Sequence, residues 1–82
     1  MKLPRDLPGS GLARALQAFG YRVTRQSGIH MRLTTNERGE HHVTVPAHAA
    51  LRVGTLASIL GDVAIHFDMT RDEGLARLFR RD

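Results

Sequence analysis

His30 and Arg32 form the residue pair in this sequence that is best suited to catalyse a reaction. Both residues belong to the run 29–34, IHMRLT, whose alternation of apolar and polar residues is typical of a β-strand. Residues two positions apart in a strand share one face at a spacing of about 6.5 to 7 Å. The run therefore places an imidazole, a proton-transfer group, beside a guanidinium, a cation that binds phosphate.

Such a pair suits the cleavage of RNA, because RNA carries its own nucleophile in the 2′-hydroxyl group. The protein has to supply a base for the hydroxyl proton, an acid for the leaving oxygen and a cation for the charge on the phosphoryl group. Histidine serves as base or acid because an imidazole with a pKa of about 6.5 titrates near neutral pH. Arg22, Arg25 and His48 are candidate helpers. DNA lacks the 2′-hydroxyl, so we expect that it is not cut by this route.

Other histidines suggest a metal site as an alternative. His41 and His42 are neighbours in one predicted strand, so they point to opposite faces and do not jointly bind one ion. A zinc site formed by His30, His42 and His48 would need these residues to converge in space. Nothing in the sequence indicates that they converge, and we predict neither a metal nor a cofactor.

Three strands are predicted around the His30–Arg32 pair. Residues 21–26 alternate, with Tyr21 on the apolar side, and a turn at Ser27-Gly28 connects them to the run 29–34. After turn residues at 36–39, residues 42–45 alternate again and end at Pro46, which cannot donate to a ladder. Consecutive strands joined by short turns predict a three-stranded antiparallel meander.

Helices are predicted at both ends of the chain. In residues 10–19 the apolar positions form one helical stripe, with Ser10 as the N-cap and Gly20 placed to end the helix in a left-handed conformation. Near the C-terminus, Thr70 and Glu73 match a capping box, which predicts a short final helix.

A second long helix is predicted at residues 55–67. Its apolar stripe is wide and continues past Gly61, although a glycine there costs about 1 kcal/mol relative to alanine. The alternative is a break into a helix and a short strand at 63–67. On the polar side, His66 lies four residues after Asp62, which predicts a surface pair.

These elements predict an α+β fold with the order α-β-β-β-α plus a short C-terminal helix. Each long helix has one apolar stripe and the sheet has one apolar face, so both helices should pack on the same face of the sheet. The other face is then left to solvent, either as an ordinary polar surface or as a basic platform for RNA. Its expected residues are Arg22, Thr24, Gln26, His30, Arg32, Thr34, His42 and Thr44.

Length and composition exclude several classes of protein. The chain has 82 residues and no cysteine, so we expect one domain over residues 1–82, without disulfides, thiolate sites or a large enzyme cleft. The absence of cysteine fits a reducing compartment, so we expect the cytoplasm. No apolar segment is long enough to insert into a membrane, so we predict no membrane among the partners. A chain this short buries little surface, so a partner or a homo-oligomer would add to its stability.

Positive charge is concentrated in the first part of the chain. Residues 1–35 contain six basic residues and one acidic residue, whereas residues 36–82 contain six and seven. Eleven of the twelve basic residues are arginine, which binds phosphate through two parallel hydrogen bonds. This pattern favours an anionic partner, although the base composition of a genome also raises arginine content.

Four segments, taken together in their order and spacing, resemble the HicA (YcfA-like) family of mRNA interferase toxins. They are residues 10–21, 25–30, 43–48 and 54–60, with the sequences SGLARALQAFGY, RQSGIH, VTVPAH and GTLASIL. The resemblance covers roughly residues 9–67. It implies a fold like that of double-stranded-RNA-binding domains (dsRBD-like), in agreement with the order of elements predicted from periodicity.

The resemblance implies a toxin-like ribonuclease that cleaves mRNA and is held inactive by a HicB-type antitoxin, for which electrostatics favours an acidic protein. The roles argued above for histidine and arginine add the hypothesis that cleavage needs no metal. The resemblance also matches His30 with the family's catalytic histidine. The residues that we predict to bind RNA around it are Arg22, Arg25, Gly28, Arg32 and His48. The family motif commonly reads Gly-Ser-His, and Ile29 occupies the place of that serine, so a non-catalytic RNA-binding module is the alternative. A third interpretation is a protein-interaction domain that uses the helix at residues 75–79.

Overall fold

A computed structural model describes residues 3–47 and 49–79. The elements are α1 (Gly9–Ala15), which continues as a 3₁₀ turn (Leu16–Phe19), β1 (Arg22–Ser27), β2 (His30–Thr35), β3 (His41–Pro46), α2 (Val53–His66) and α3 (Arg71–Leu78). The strands form one antiparallel sheet in the order β1-β2-β3. The predicted α+β fold, with its dsRBD-like order of elements and its three-stranded meander, is confirmed.

The hydrophobic core lies between one face of the sheet and the helices. The alternating residues Met31 and Leu33 of β2 and Val43 and Val45 of β3 point to this side and are buried. They pack with apolar side chains of α1, the 3₁₀ turn and α2, namely Leu12, Leu16, Phe19, Leu56, Ile59, Leu60 and Val63. Burying each such side chain contributes about 1.5 to 3 kcal/mol. The helices therefore cover one face, as predicted, and the opposite face of the sheet is open.

Helix α1 begins earlier than its sequence signal suggested. Pro8 is the N-cap residue, and no side chain caps the helix, so the prediction of Ser10 as the N-cap is wrong. The reason is tertiary packing: Gly9 lies directly against the carbonyl of Pro46 in β3, a contact that leaves no room for a Cβ atom. At the other end, Gly20 has a φ of +81° and ends the 3₁₀ turn in the left-handed conformation that was predicted.

Helix α2 runs without a break through Gly61. The continuous helix is confirmed and the alternative strand at 63–67 is wrong, because the buried stripe from Leu56 to Ala64 packs as one face. None of the helices in the described residues is both long and apolar enough to cross a membrane.

The capping box of α3 is present. Glu73 N donates to Thr70 Oγ1 at 3.1 Å, and Thr70 N donates to Glu73 Oε1 at 2.9 Å. These bonds stabilise the ionised carboxyl group, so they lower the pKa of Glu73 below its ordinary value. The box fixes the start of the short C-terminal helix at the predicted place.

Candidate functional site

Three rows of paired residues cross the open face of the sheet. The His30 row contains Ser27, His30 and Pro46; the arginine row contains Arg25, Arg32 and Thr44; the His42 row contains Arg22, Thr34 and His42. Residues that pair directly across strands share a face, and neighbouring rows are one two-residue step, about 6.5 to 7 Å, apart. The arginine row therefore lies between the two rows that carry a histidine.

His30 is the first residue of β2, and its side chain is exposed. It follows a hairpin turn in which Gly28 has a φ of +56°, a conformation that favours glycine. Ala47 N donates to the carbonyl of Ile29, which extends the β2–β3 ladder past His30 and holds its backbone in place. The predicted proximity of His30 to Arg32 on one face of one strand is present.

A β-bulge in β1 brings a second arginine to this face. Val23 pairs with Leu33, but the next pair is Arg25 with Arg32, so Thr24 is an additional residue in β1. Strict alternation would have placed Arg25 on the same side as Val23. The bulge reverses the direction of every residue that follows it in β1, and so Arg25 lies opposite Arg32.

The same bulge overturns one expectation for the open face. Gln26 pairs with the buried residue Met31 and therefore lies on the helix side of the sheet, so its predicted place on the open face is wrong. Val23 is on the helix side, as alternation predicts, yet it is 47% exposed because β1 is an edge strand. No glycine or proline in β1 marks the bulge in the sequence.

The two arginines of the arginine row form an uncompensated like-charge pair. Arg25 and Arg32 lie directly opposite each other and are both exposed. Within the described residues, no carboxylate forms an ion pair with either guanidinium. Like charges directly opposite each other in a sheet are destabilising, and an anion bound between them removes that cost.

The His42 row contains a continuous chain of hydrogen bonds. His42 Nε2 donates to Glu40 Oε2 at 2.8 Å, and His42 Nδ1 lies 2.7 Å from Thr34 Oγ1. The Thr34 hydroxyl in turn lies 2.8 Å from that of Thr24, whose oxygen also lies 3.3 Å from the carbonyl of Arg32. The chain fixes the His42 ring and the Glu40 carboxylate on the open face.

His41 points to the opposite side of β3 from His42, as predicted. Its Nδ1 lies 2.6 Å from the hydroxyl of Tyr21, and its ring stacks on that of His66 at 4.4 Å between centroids. Burial, and then the charge of His66, lower the pKa of His41. Burial, and then the charge of Asp62, raise the pKa of Tyr21 to about 12. This cluster joins the sheet to α2 and lies away from the open face.

His66 does not form the predicted pair with Asp62. Its Nε2 instead donates to two backbone carbonyls of the β2–β3 turn, those of Glu37 at 2.9 Å and Gly39 at 3.1 Å. Two hydrogen bonds to backbone carbonyls thus replace the expected contact with Asp62, which as an exposed ion pair would contribute little in water. The turn is therefore held against α2.

His48 lies outside the described residues, so its predicted role stays a prediction. Arg22 occupies the His42 row, and Gly28 occupies the turn before His30. Across residues 3–47 and 49–79, no three histidine, aspartate or glutamate side chains converge as a metal ion would require. His48, the third member of the alternative zinc site, is not among those residues.

An apolar groove lies elsewhere on the described part of the chain. It has a volume of about 910 Å³ and runs between the N-terminal segment and α3, where Leu3, Leu75 and Phe79 line it. It contains neither a histidine nor two opposed arginines. Arg5 and Asp72 are its charged lining residues. The combination of a histidine with two opposed arginines therefore belongs to the open face and not to this groove.

Comparison with known proteins gives one match. The family model described as the HicA toxin of bacterial toxin-antitoxin systems matches residues 9–65. The matched segment is more than half of the chain and includes α1, all three strands and nearly all of α2. Neither the curated proteins nor the solved structures include a match.

Proposed function

Since the chain belongs to the HicA toxin family of bacterial toxin-antitoxin systems, we propose that it is a ribonuclease that cleaves mRNA on the open face of its sheet. Membership of the family supports the toxin role and a nuclease activity, and it implies an antitoxin partner. The proposal adds that His30 transfers the proton, that the arginine row holds the phosphate, and that cleavage needs no metal.

The observation that supports the proposal best is the position of His30 beside the arginine row. One two-residue step separates the imidazole from a pair of exposed guanidiniums that have no carboxylate partner among the described residues. A phosphodiester bound by Arg25 and Arg32 would neutralise the pair. The same phosphodiester would then lie within reach of an exposed proton-transfer group.

The reaction follows from these roles. The 2′-oxygen of the RNA attacks phosphorus, the bond from phosphorus to the 5′-oxygen breaks, and the products are a 2′,3′-cyclic phosphate and a free 5′-hydroxyl. His30 either takes the proton from the 2′-hydroxyl as base or gives one to the leaving oxygen as acid. The guanidiniums stabilise the charge that develops on the phosphoryl oxygens.

The partner of the toxin is proposed to be an acidic, HicB-type antitoxin in the cytoplasm. The chain has a net charge of +4, and its open face exposes the two arginines of the arginine row. An acidic protein would associate with such a surface rapidly and would cover His30 when bound there. Inhibition would then consist of keeping RNA away from the open face.

A non-catalytic RNA-binding module is the second candidate, and Ile29 is the observation that favours it. Ile29 is 51% exposed in the turn before His30, where the family commonly has a serine. A hydroxyl group is nevertheless present in the His30 row, because Ser27 pairs directly with His30 across the hairpin. That pairing supports the catalytic candidate over the binding module.

The experiment compares the purified chain with its His30→Gln variant on a long unstructured RNA in excess chelator. We expect the variant to cleave at least about 100-fold more slowly, because general acid-base groups typically contribute 10²- to 10⁴-fold. Matched circular dichroism spectra establish equal folding, and a DNA of the same sequence is the substrate control. Equal rates for both chains would remove His30 from the mechanism, and salt-dependent binding without cleavage would favour the binding module.

A further inference from the structure

A second site lies across the arginine row from His30. It is a shallow groove of about 490 Å³, bounded by the two arginines on one side and by Glu40 and His42 on the other. Arg25 and Arg32 thus line this groove and also flank His30. If RNA lies on the arginine row as proposed above, the nucleotide on one side of the bound phosphate enters this groove.

Glu40 is held in position within the groove. One carboxylate oxygen accepts a hydrogen bond from His42 at 2.8 Å, and the side chain of Glu40 is 65% exposed. The other oxygen, Oε1, has no hydrogen bond to a described residue. The turn that precedes Glu40 is fixed to α2 by the two bonds from His66. An ionised carboxylate has about four acceptor sites on its two oxygens, so Oε2 can accept a further hydrogen bond beside Oε1. The groove therefore presents an oriented pair of acceptors to whatever enters it.

The charge of Glu40 determines which part of a nucleotide fits. A carboxylate repels phosphate, so the groove is suited to a base rather than to a second phosphate group. Single-stranded RNA exposes the Watson–Crick edges of its bases to protein side chains. A carboxylate can only accept hydrogen bonds from such an edge, so it favours an edge rich in donors.

Guanine has the edge that matches this acceptor best. Its N1–H and N2–H groups are adjacent donors, whereas adenine and cytosine each offer one amino group beside an acceptor nitrogen. Uracil offers one N–H group between two carbonyl oxygens, and a carboxylate repels those oxygens. We propose that the groove binds the base next to the cleaved phosphate and that Glu40 makes the site prefer guanine; this inference rests on the proposed function.

The test uses a pool of single-stranded RNA with randomised positions, incubated with the full chain and with two variants. Glu40→Gln replaces the acceptor by an amide, which presents a donor as well. Glu37→Gln is the matched control, because Glu37 lies in the same turn with its carboxylate toward Gly20, away from the groove. The ends produced by cleavage are sequenced; if RNA is retained but not cut, the retained pool is sequenced instead.

We expect guanine to be enriched about fivefold or more at one position beside the cut. This factor is the lower end of the discrimination between bases that a contact of two hydrogen bonds provides. Glu40→Gln should abolish the enrichment and Glu37→Gln should preserve it. Equal guanine enrichment with and without Glu40, or cleavage without any preference for guanine, would overturn the inference and leave the proposed function intact. A chain that neither cuts nor retains RNA would contradict both.

Discussion

At the scale of single residues, the sequence predicts the position of Arg32 but not that of Arg25, the other member of the proposed phosphate-binding pair. Alternation in residues 29–34 places His30 and Arg32 on one face, and β2 confirms this. The position of Arg25 opposite Arg32 depends on the bulge at Thr24, which no turn residue announces. A bulge is decided by the packing of both strands, so a pattern read along one strand does not reveal it.

The opposed arginines predict an unusual combination of effects for Arg25→Gln. We expect the dependence of RNA binding on salt to become shallower by about one unit of slope, because one phosphate contact is lost. We also expect the free energy of unfolding to rise by a few tenths of a kcal/mol, because the cross-strand repulsion disappears. Salt titrations of binding and urea unfolding measure the two quantities.

Arg14→Gln is the matched control for this variant. Arg14 is exposed on α1, on the helix side of the sheet, and it carries the same charge. It should leave the slope of the salt dependence unchanged. A slope that falls equally in both variants would show that RNA responds to the net charge of the chain rather than to the arginine row.

At the scale of elements, local sequence patterns predicted the structure correctly where interactions between nearby residues determine it. The capping box at Thr70, the left-handed Gly20 and the amphipathic stripe of α2 each follow from short-range sterics or periodicity. The start of α1 and the partner of His66 depend on contacts with β3 and with the β2–β3 turn. Sequence spacing carries no information about such distant contacts.

The stack of His41 on His66 joins β3 to α2 and predicts how stability depends on pH. Burial and the charge of His66 hold the pKa of His41 below 6.5 in the folded chain, and the charge of Asp62 partly opposes them. The unfolded chain therefore binds the proton more readily than the folded chain. The stability that depends on neutral His41 is complete above pH 6.5 and is lost as the pH falls below that value.

His41→Gln should flatten this dependence. The variant also loses the hydrogen bond between Tyr21 and His41 Nδ1, which lowers its stability near neutral pH, but glutamine does not titrate between pH 5 and pH 8. Urea unfolding between pH 5 and pH 8 gives the free energy of unfolding for both chains. Curves that stay parallel below pH 6.5 would contradict the assignment to His41.

At the scale of the whole molecule, the two-layer architecture separates the hydrophobic core from the face that we propose binds RNA. One face of the sheet carries the core with the helices, and the other face carries the three polar rows. Side chains on the open face can therefore change without altering the core, apart from local effects such as cross-strand repulsion. The sequence predicted this two-layer structure, because one apolar face of the sheet and two apolar helix stripes bury each other in a single arrangement of two layers.

A nuclear magnetic resonance titration of the ¹⁵N-labelled chain with a single-stranded 2′-O-methyl RNA would locate the RNA-binding surface. This RNA has no free 2′-hydroxyl group and is therefore not cleaved. We predict that the largest shifts occur at the backbone amides of His30, Arg32 and Thr34 and of those paired residues that carry an amide proton, namely Arg22, Arg25, Ser27, His42 and Thr44. The amides of α2 and α3 should stay nearly unchanged. Large shifts along α3 and its apolar groove, with the open face unaffected, would contradict the proposal that RNA binds the exposed side of the sheet.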